Sequence, residues 1–267
     1  MSNSGIDTQT IVAGLAVSLV DGVLSVTIDR PESLNSLTPP MLEGMADVME
    51  RAGGDPRVKV VRLGGAGRGF SSGGAITLAD FWGSGSAMTY VEACNRAVRA
   101  IAAMPHPVVA VVQGPAAGCG VSLALACDLV LASENAFFTL AYTNIGLMPD
   151  GGASATVAAA VGRIRAMRMA LLAEQVPAVE ALACGLVSAV YPAADFQAEV
   201  DKVIERLLAG PPIAFAKTKE AINAATLELE PAFARELQGQ ALLLQASDFV
   251  EGASAFRQRR TPTFTGS

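Results

Sequence analysis

The stretch PVVAVVQGPAAGCGVSLALACDLVLA, residues 107–132, constrains the fold more than any other part of the chain. It is long and apolar enough to suggest a bilayer span, which needs about 20 uninterrupted apolar residues. Gln113, Pro115 and Asp128 break it, however, and Gly114, Gly118 and Gly120 crowd its middle. The pattern instead predicts a buried strand at 108–112, a glycine-rich loop, a helix over 119–127 and a strand at 128–132. A unit of that kind belongs to an α/β protein in which helices cover a sheet.

The rest of the chain agrees with this class. Strands are expected at 16–20 and 23–29 around Asp21-Gly22, a strong hairpin signal. A helix follows with Thr38 as N-cap, Pro39 at its first position, and Leu42, Met45 and Met49 on one face. Further strands are expected at 58–63 and 137–142, with a helix over 90–103 between them. From Phe196 onward the chain reads as almost wholly helical, with Phe233, Leu237, Ala241 and Leu244 on one apolar face.

Composition narrows the partners. Hydrophobic residues make up 51% of the 267 and aromatics only 5%, so Ala, Val, Leu and Gly fill the core. The net charge of −6 argues against nucleic acid or an anionic membrane as partner. The N-terminal MSNSGIDTQTIVAG has no basic region and no long apolar core, and predicts no signal peptide. Cys94, Cys119, Cys127 and Cys184 form no C-x-x-C pair and no metal-ligand spacing. Reduced, buried thiols in a cytoplasmic protein without a metal are expected.

Gly69-Phe70-Ser71-Ser72-Gly73 fits G-x-S-x-G, the nucleophile elbow of serine hydrolases. An elbow needs a strand running into the serine and a helix leaving from it. Here the expected strand ends at residue 63, and GGAITLADF does not open like a helix. The chain's one histidine, His106, lies between prolines and reads as a surface-loop residue. Nucleotide-binding loops fit no better, because GGAGRGF lacks the third glycine of G-x-G-x-x-G. Two glycine-rich loops, 64–74 and 114–120, remain to be explained. They could make tight turns, or aim backbone N–H groups at one oxygen as an oxyanion hole.

Six segments in this order resemble the crotonase superfamily of enoyl-CoA hydratases and isomerases. They are TIDRPESLNSL (27–37), GAGRGFSSGGAI (65–76), the 107–138 stretch, IGLMPDGGAS (145–154), ACGLVSAVYP (183–192) and EGASAFRQRRTPTF (251–264). The resemblance implies a spiral of ββα units over residues 1–195 and a helical trimerisation region over 196–267, with trimers or dimers of trimers. It implies acyl-CoA thioester substrates, with coenzyme A entering as part of the substrate and no separate cofactor. The oxyanion donors would be the N–H groups of Gly74 and Cys119. Coenzyme A would be held by Ser33, Leu34, the Gly74–Ala75–Ile76 backbone, and Phe256 and Arg259 of a neighbouring subunit. Ala75 departs from the acidic residue that the family often has there.

The same resemblance frames the chemistry. Similar hydratases use two glutamates, and Ser122 and Tyr142 stand at those positions. Neither is a competent base near pH 7, since an unperturbed Tyr has a pKa of about 10. Asp150, in GLMPDGGAS, stands where similar isomerases carry the carboxylate that shuttles a proton along the acyl chain. The wording looks most like phenylacetate-pathway isomerases, which rearrange ring-epoxide acyl-CoA and shift Δ3 double bonds to Δ2. Asp150 could instead cap the helix that follows it. Phe81, Trp82, Tyr142 and Leu147 are the expected acyl pocket. An atypical hydratase, with Asp80 as base, and a non-catalytic acyl-CoA-binding homologue are the alternatives.

Overall fold

The computed structural model describes residues 12–75 and 86–267; the expected site positions Ile76, Asp80, Phe81 and Trp82 lie outside the described residues. Strands β1 (Leu15–Val20) and β2 (Val23–Ile28) form an antiparallel hairpin. Asp21 and Gly22 both have positive φ, 50° and 87°, as a tight primed turn requires. Strands β3 (Val60–Gly65), β4 (Val108–Val112), β6 (Leu129–Ser133) and β9 (Ala189–Tyr191) add in parallel, giving the order β1-β2-β3-β4-β6-β9. A second sheet of three strands joins β5 (Ala116–Ala117), β7 (Phe137–Thr139) and β8 (Val176–Pro177).

The central strands are buried on both faces, which is why they read as unbroken apolar runs. In β4, Val108, Ala110 and Val112 enter the main core, while Val109 and Val111 point the other way. Helices α1 (Pro39–Ala52), α2 (Ser86–Ala103) and α3 (Cys119–Ala126) contribute to the main core. The opposite face is covered by Phe196, Val200 and Ile204 of α7 (Phe196–Leu208). Between them run α4 (Ala153–Val161), α5 (Arg163–Leu172) and α6 (Ala178–Ala183). The chain closes with α8 (Pro212–Thr226), α9 (Leu229–Leu243) and α10 (Ser247–Gln258).

Residues 107–132 fold as the expected strand, loop, helix and strand. Among the described residues, no helix is long and apolar enough to cross a membrane. Other expectations shift. The strand expected at 58–63 forms at Val60–Gly65. The strand expected at 137–142 stops at Thr139, and Ala141–Ile145 is a 3-10 turn that turns Tyr142 into the core. Thr38 has the extended backbone of an N-cap, yet its side chain makes no capping hydrogen bond. His106 is half-buried, with its Nε2 enclosed, rather than a free surface residue. The buried face of α9 is Ala232, Phe233, Glu236 and Gln240, rotated from the apolar stripe read in the sequence. Phe256, on α10, is 61% exposed.

The two glycine-rich loops meet backbone to backbone. A methyl group on Gly114 would lie 2.0 Å from the Arg68 carbonyl oxygen, which belongs to the main chain and has little freedom to yield. Gly114→Ala should therefore lower unfolding free energy by about 1–3 kcal/mol in urea titration, the usual cost of overpacking. Gly54→Ala, where nothing lies within 4 Å, should stay within about 0.5 kcal/mol of the parent.

Candidate active site

The site is built on main-chain pairing between the loops. Phe70 N–H and Ser71 N–H both donate to the Pro115 carbonyl at 3.0 and 3.1 Å, and Ala117 N–H donates to Ser71 O at 2.9 Å. On the other side, Leu37 N–H donates to Gly73 O and Ala75 N–H donates to Leu37 O, each at 2.8 Å. With its two neighbours turned toward Leu37, the N–H of Gly74 faces the opposite side, as alternation along an extended strand requires. Gly73 makes the turn at φ 89°, and a Cβ there would meet the Ala117 carbonyl at 2.8 Å.

Cys119 is the first residue of α3, so its N–H has no intrahelical acceptor and lies at the positive end of the helix. Among the described residues, neither Gly74 N–H nor Cys119 N–H donates to a protein acceptor. Both residues line one cavity of about 600 Å³, part of it open to solvent. The Cys119 thiol is free and buried, close to the free thiol of Cys94. The side chain thus faces the core, leaving the backbone for the cavity.

Asp150 lines the same cavity and is 3% exposed. Its Oδ1 accepts from the Tyr142 hydroxyl at 2.7 Å, and its Oδ2 accepts from Gln240 Nε2 at 3.0 Å. Burial pushes its carboxyl up to about 6. The bonds from Tyr142 and Gln240 oppose that rise, and the charge of Glu236 adds to it. Burial likewise pushes Tyr142 and Tyr90 well up, so both stay neutral phenols.

Asp150 is not the cap of α4. That work falls to Glu236, whose carboxylate accepts from Gly152 N–H at 2.7 Å, Ser154 N–H at 3.0 Å and the Ser154 hydroxyl at 2.5 Å. Gly152 occupies the N-cap position at φ 73°. A carboxylate from α9 thus satisfies the helix end and leaves Asp150 turned into the cavity.

The remaining expected residues divide. Tyr142 and Leu147 line the cavity with Asp150. Ser122 is fully buried behind it, its hydroxyl donating to the Asp150 carbonyl at 2.8 Å, so it holds the backbone beneath the carboxylate. Ser33 and Leu34 sit outside the loop, where the Leu34 carbonyl accepts from Ser72 N–H at 2.8 Å and the Ser33 carbonyl accepts from the Ser72 hydroxyl at 2.9 Å. Ala75 is half-buried beside them. Phe256 and Arg259 lie at the exposed end of α10, and Arg260 rather than Arg259 pairs with Glu251, at 2.5 Å. Sequence reading missed Tyr90, Val91, Ile145, Gln240 and Leu244 in the cavity wall. Glu236 and Gln240 are one turn apart on α9, but Glu230, Arg235 and Gln238 on the same helix leave them without a distinguishing sequence signal.

The family profile for enoyl-CoA hydratase/isomerase matches residues 19–267. A probable enoyl-CoA hydratase of Rhodobacter capsulatus is 40% identical over 247 residues, covering 92% of this chain and 95% of that protein. A 1,2-epoxyphenylacetyl-CoA isomerase of Escherichia coli is 34% identical over 250 residues, covering 92% and 95%. The crystal structure of an enoyl-CoA hydratase from Mycobacterium avium subsp. paratuberculosis matches at a TM-score of 0.90 with 70% identity, over 95% of this chain and 99% of the other.

Ser71 has a structural task. Its buried hydroxyl donates to the Asn35 carbonyl at 2.9 Å and accepts from Gly73 N–H at 3.1 Å. Ser71→Ala should reduce stability by about 1–3 kcal/mol, because it strands a buried N–H. Fluorophosphonate treatment of the parent protein, followed by mass spectrometry, should leave Ser71 unlabelled.

Proposed function

The chain belongs to the enoyl-CoA hydratase/isomerase family, and from that premise we propose that it is an acyl-CoA isomerase using Asp150 as its single base. The observation that carries this reading is the cavity wall. Among the described residues lining it, Asp150 is the one carboxylate, and it shares the wall with Gly74 and Cys119. The thioester oxygen would take the two free N–H groups. Asp150 would remove a proton from the carbon next to the thioester, leaving an enolate stabilised by those donors. Returning the same proton two carbons further along moves the double bond from Δ3 to Δ2 and restores the base. Coenzyme A would be gripped by the 33–34 turn, the Gly74–Ile76 backbone, and Phe256 and Arg259 of a neighbouring subunit.

The hydratase reading has names behind it, those of the Mycobacterium structure at 70% identity and the Rhodobacter relative at 40%. Against it, Ser122 and Tyr142 are committed to Asp150 through hydrogen bonds of 2.8 and 2.7 Å, and neither is an ionised base. The name of the Escherichia relative at 34% identity favours rearrangement of an oxygenated aromatic acyl group. A trimer or a dimer of trimers, as the family resemblance implies, would offer cover for exposed Ile164, Leu171, Leu172 and Ile213.

With a Δ3-enoyl-CoA, Asp150→Asn should slow double-bond migration by about 10²-fold or more, the usual weight of a general base. Unchanged migration would overturn the assignment. Hydration of crotonyl-CoA by the parent should be negligible. Because the base must be ionised, kcat/KM for migration should rise with pH through about 6, the value that burial gives Asp150. Sedimentation equilibrium should return a multiple of three chains.

A further inference from the structure

Gln240 reaches Asp150 from the C-terminal helical region, for which the family resemblance implies a role in trimerisation. The side chain is buried, and its Nε2 donates both to Asp150 Oδ2 at 3.0 Å and to the Met148 carbonyl at 2.9 Å. Two acceptors fix the amide's orientation, since its oxygen turned that way would meet two other oxygens. Gly239 lies against the Met148 side chain, whose sulfur would be 2.1 Å from a Cβ there and would have to shift. One turn earlier, Glu236 holds Gly152 and Ser154. A single helix face therefore grips the 148–154 segment at alternate residues.

We propose that Gln240 is a positioning residue for the base: it holds Oδ2 of Asp150 in place while Tyr142 holds Oδ1, and it favours the ionised carboxylate at a buried position. The assignment rests on Asp150 acting as the base. The titratable groups around Asp150 are Tyr142 on the 3-10 turn, Tyr90 and Cys94 on α2, Cys119 on α3 and Glu236 on α9. Glu236 opposes ionisation of Asp150, whereas Tyr142 and Gln240 favour it. Of those two, only Gln240 comes from outside the local 142–150 segment.

The test uses Gln240→Met, which removes the donor at similar length, and Gln240→Glu, which places a second carboxyl against the first. The acid limb of kcat/KM for Δ3-to-Δ2 migration should move upward by roughly one to two pH units in Gln240→Met, the size of a lost hydrogen bond to a charged group. Gln240→Glu should move it further. In parallel, carbon-13 NMR of labelled aspartate, assigned with Asp150→Asn, should show the Asp150 carboxyl titrating higher by the same amount. A limb and a titration that both stay in place, with activity lowered equally at every pH, would overturn the proposal in favour of a packing role. The NMR arm needs no turnover. Full activity in Asp150→Asn would thus sink the base assignment, while an unmoved titration would sink the role of Gln240.

Discussion

Two glycine-rich loops touch through their main chains, and the site depends on that contact. Pairing of Phe70 and Ser71 with Pro115, and of Ala117 with Ser71, sets the N-terminus of α3 against the Gly74 strand. The approach is possible only where side chains are absent, because a Cβ at Gly114 or Gly73 would enter the opposite carbonyl. Side-chain amides complete the frame. Asn35 Nδ2 donates to Ala66 O and Gly69 O, and Gln113 Nε2 donates to Gly65 O and Gly69 O, all between 2.7 and 2.9 Å. The loop carbonyls that face inward are thus satisfied, while the Gly74 N–H has no acceptor among the described residues.

The second constraint is electrostatic. A helix start needs acceptors for its first N–H groups, and the nearest carboxylate in sequence is Asp150. Had Asp150 capped α4, it would have been fixed in place and its pKa drawn down. Glu236 supplies the acceptors from α9, so Asp150 can be buried against the cavity with its carboxyl raised to about 6. Separation of the two carboxylates into a cap and a cavity group is the feature on which the isomerase reading turns.

Much of this was legible in the sequence. The 107–132 stretch announced its strand, loop, helix and strand through the positions of Gln113, Pro115 and Asp128. The Asp21-Gly22 hairpin and the Pro39 helix start were equally plain, because a local turn and the fixed φ of proline decide them. Elements governed by distant partners were not. Strand 137–142 was cut short because Tyr142 is recruited inward by Asp150. The face of α9 was misread because hydrophobic periodicity cannot register a glutamate and a glutamine buried to serve backbone and carboxylate partners more than eighty residues away. For the same reason the choice between cap and base at Asp150 could not be made from the segment alone.

That the N–H groups of Gly74 and Cys119 find no acceptor among the described residues bears on how this site can vary. An amide donor is identical in every residue but proline, so the side chain at 119 is chosen by what the core behind it accepts. Cys119, whose buried thiol lies close to that of Cys94, illustrates that separation. Substitutions at such a position drift with packing and leave the donor untouched. Residue identity there is a poor register of what the site does, and an alanine scan would pass over it. Only replacement of the peptide nitrogen itself, as in an ester-for-amide exchange, would make the position visible to chemistry.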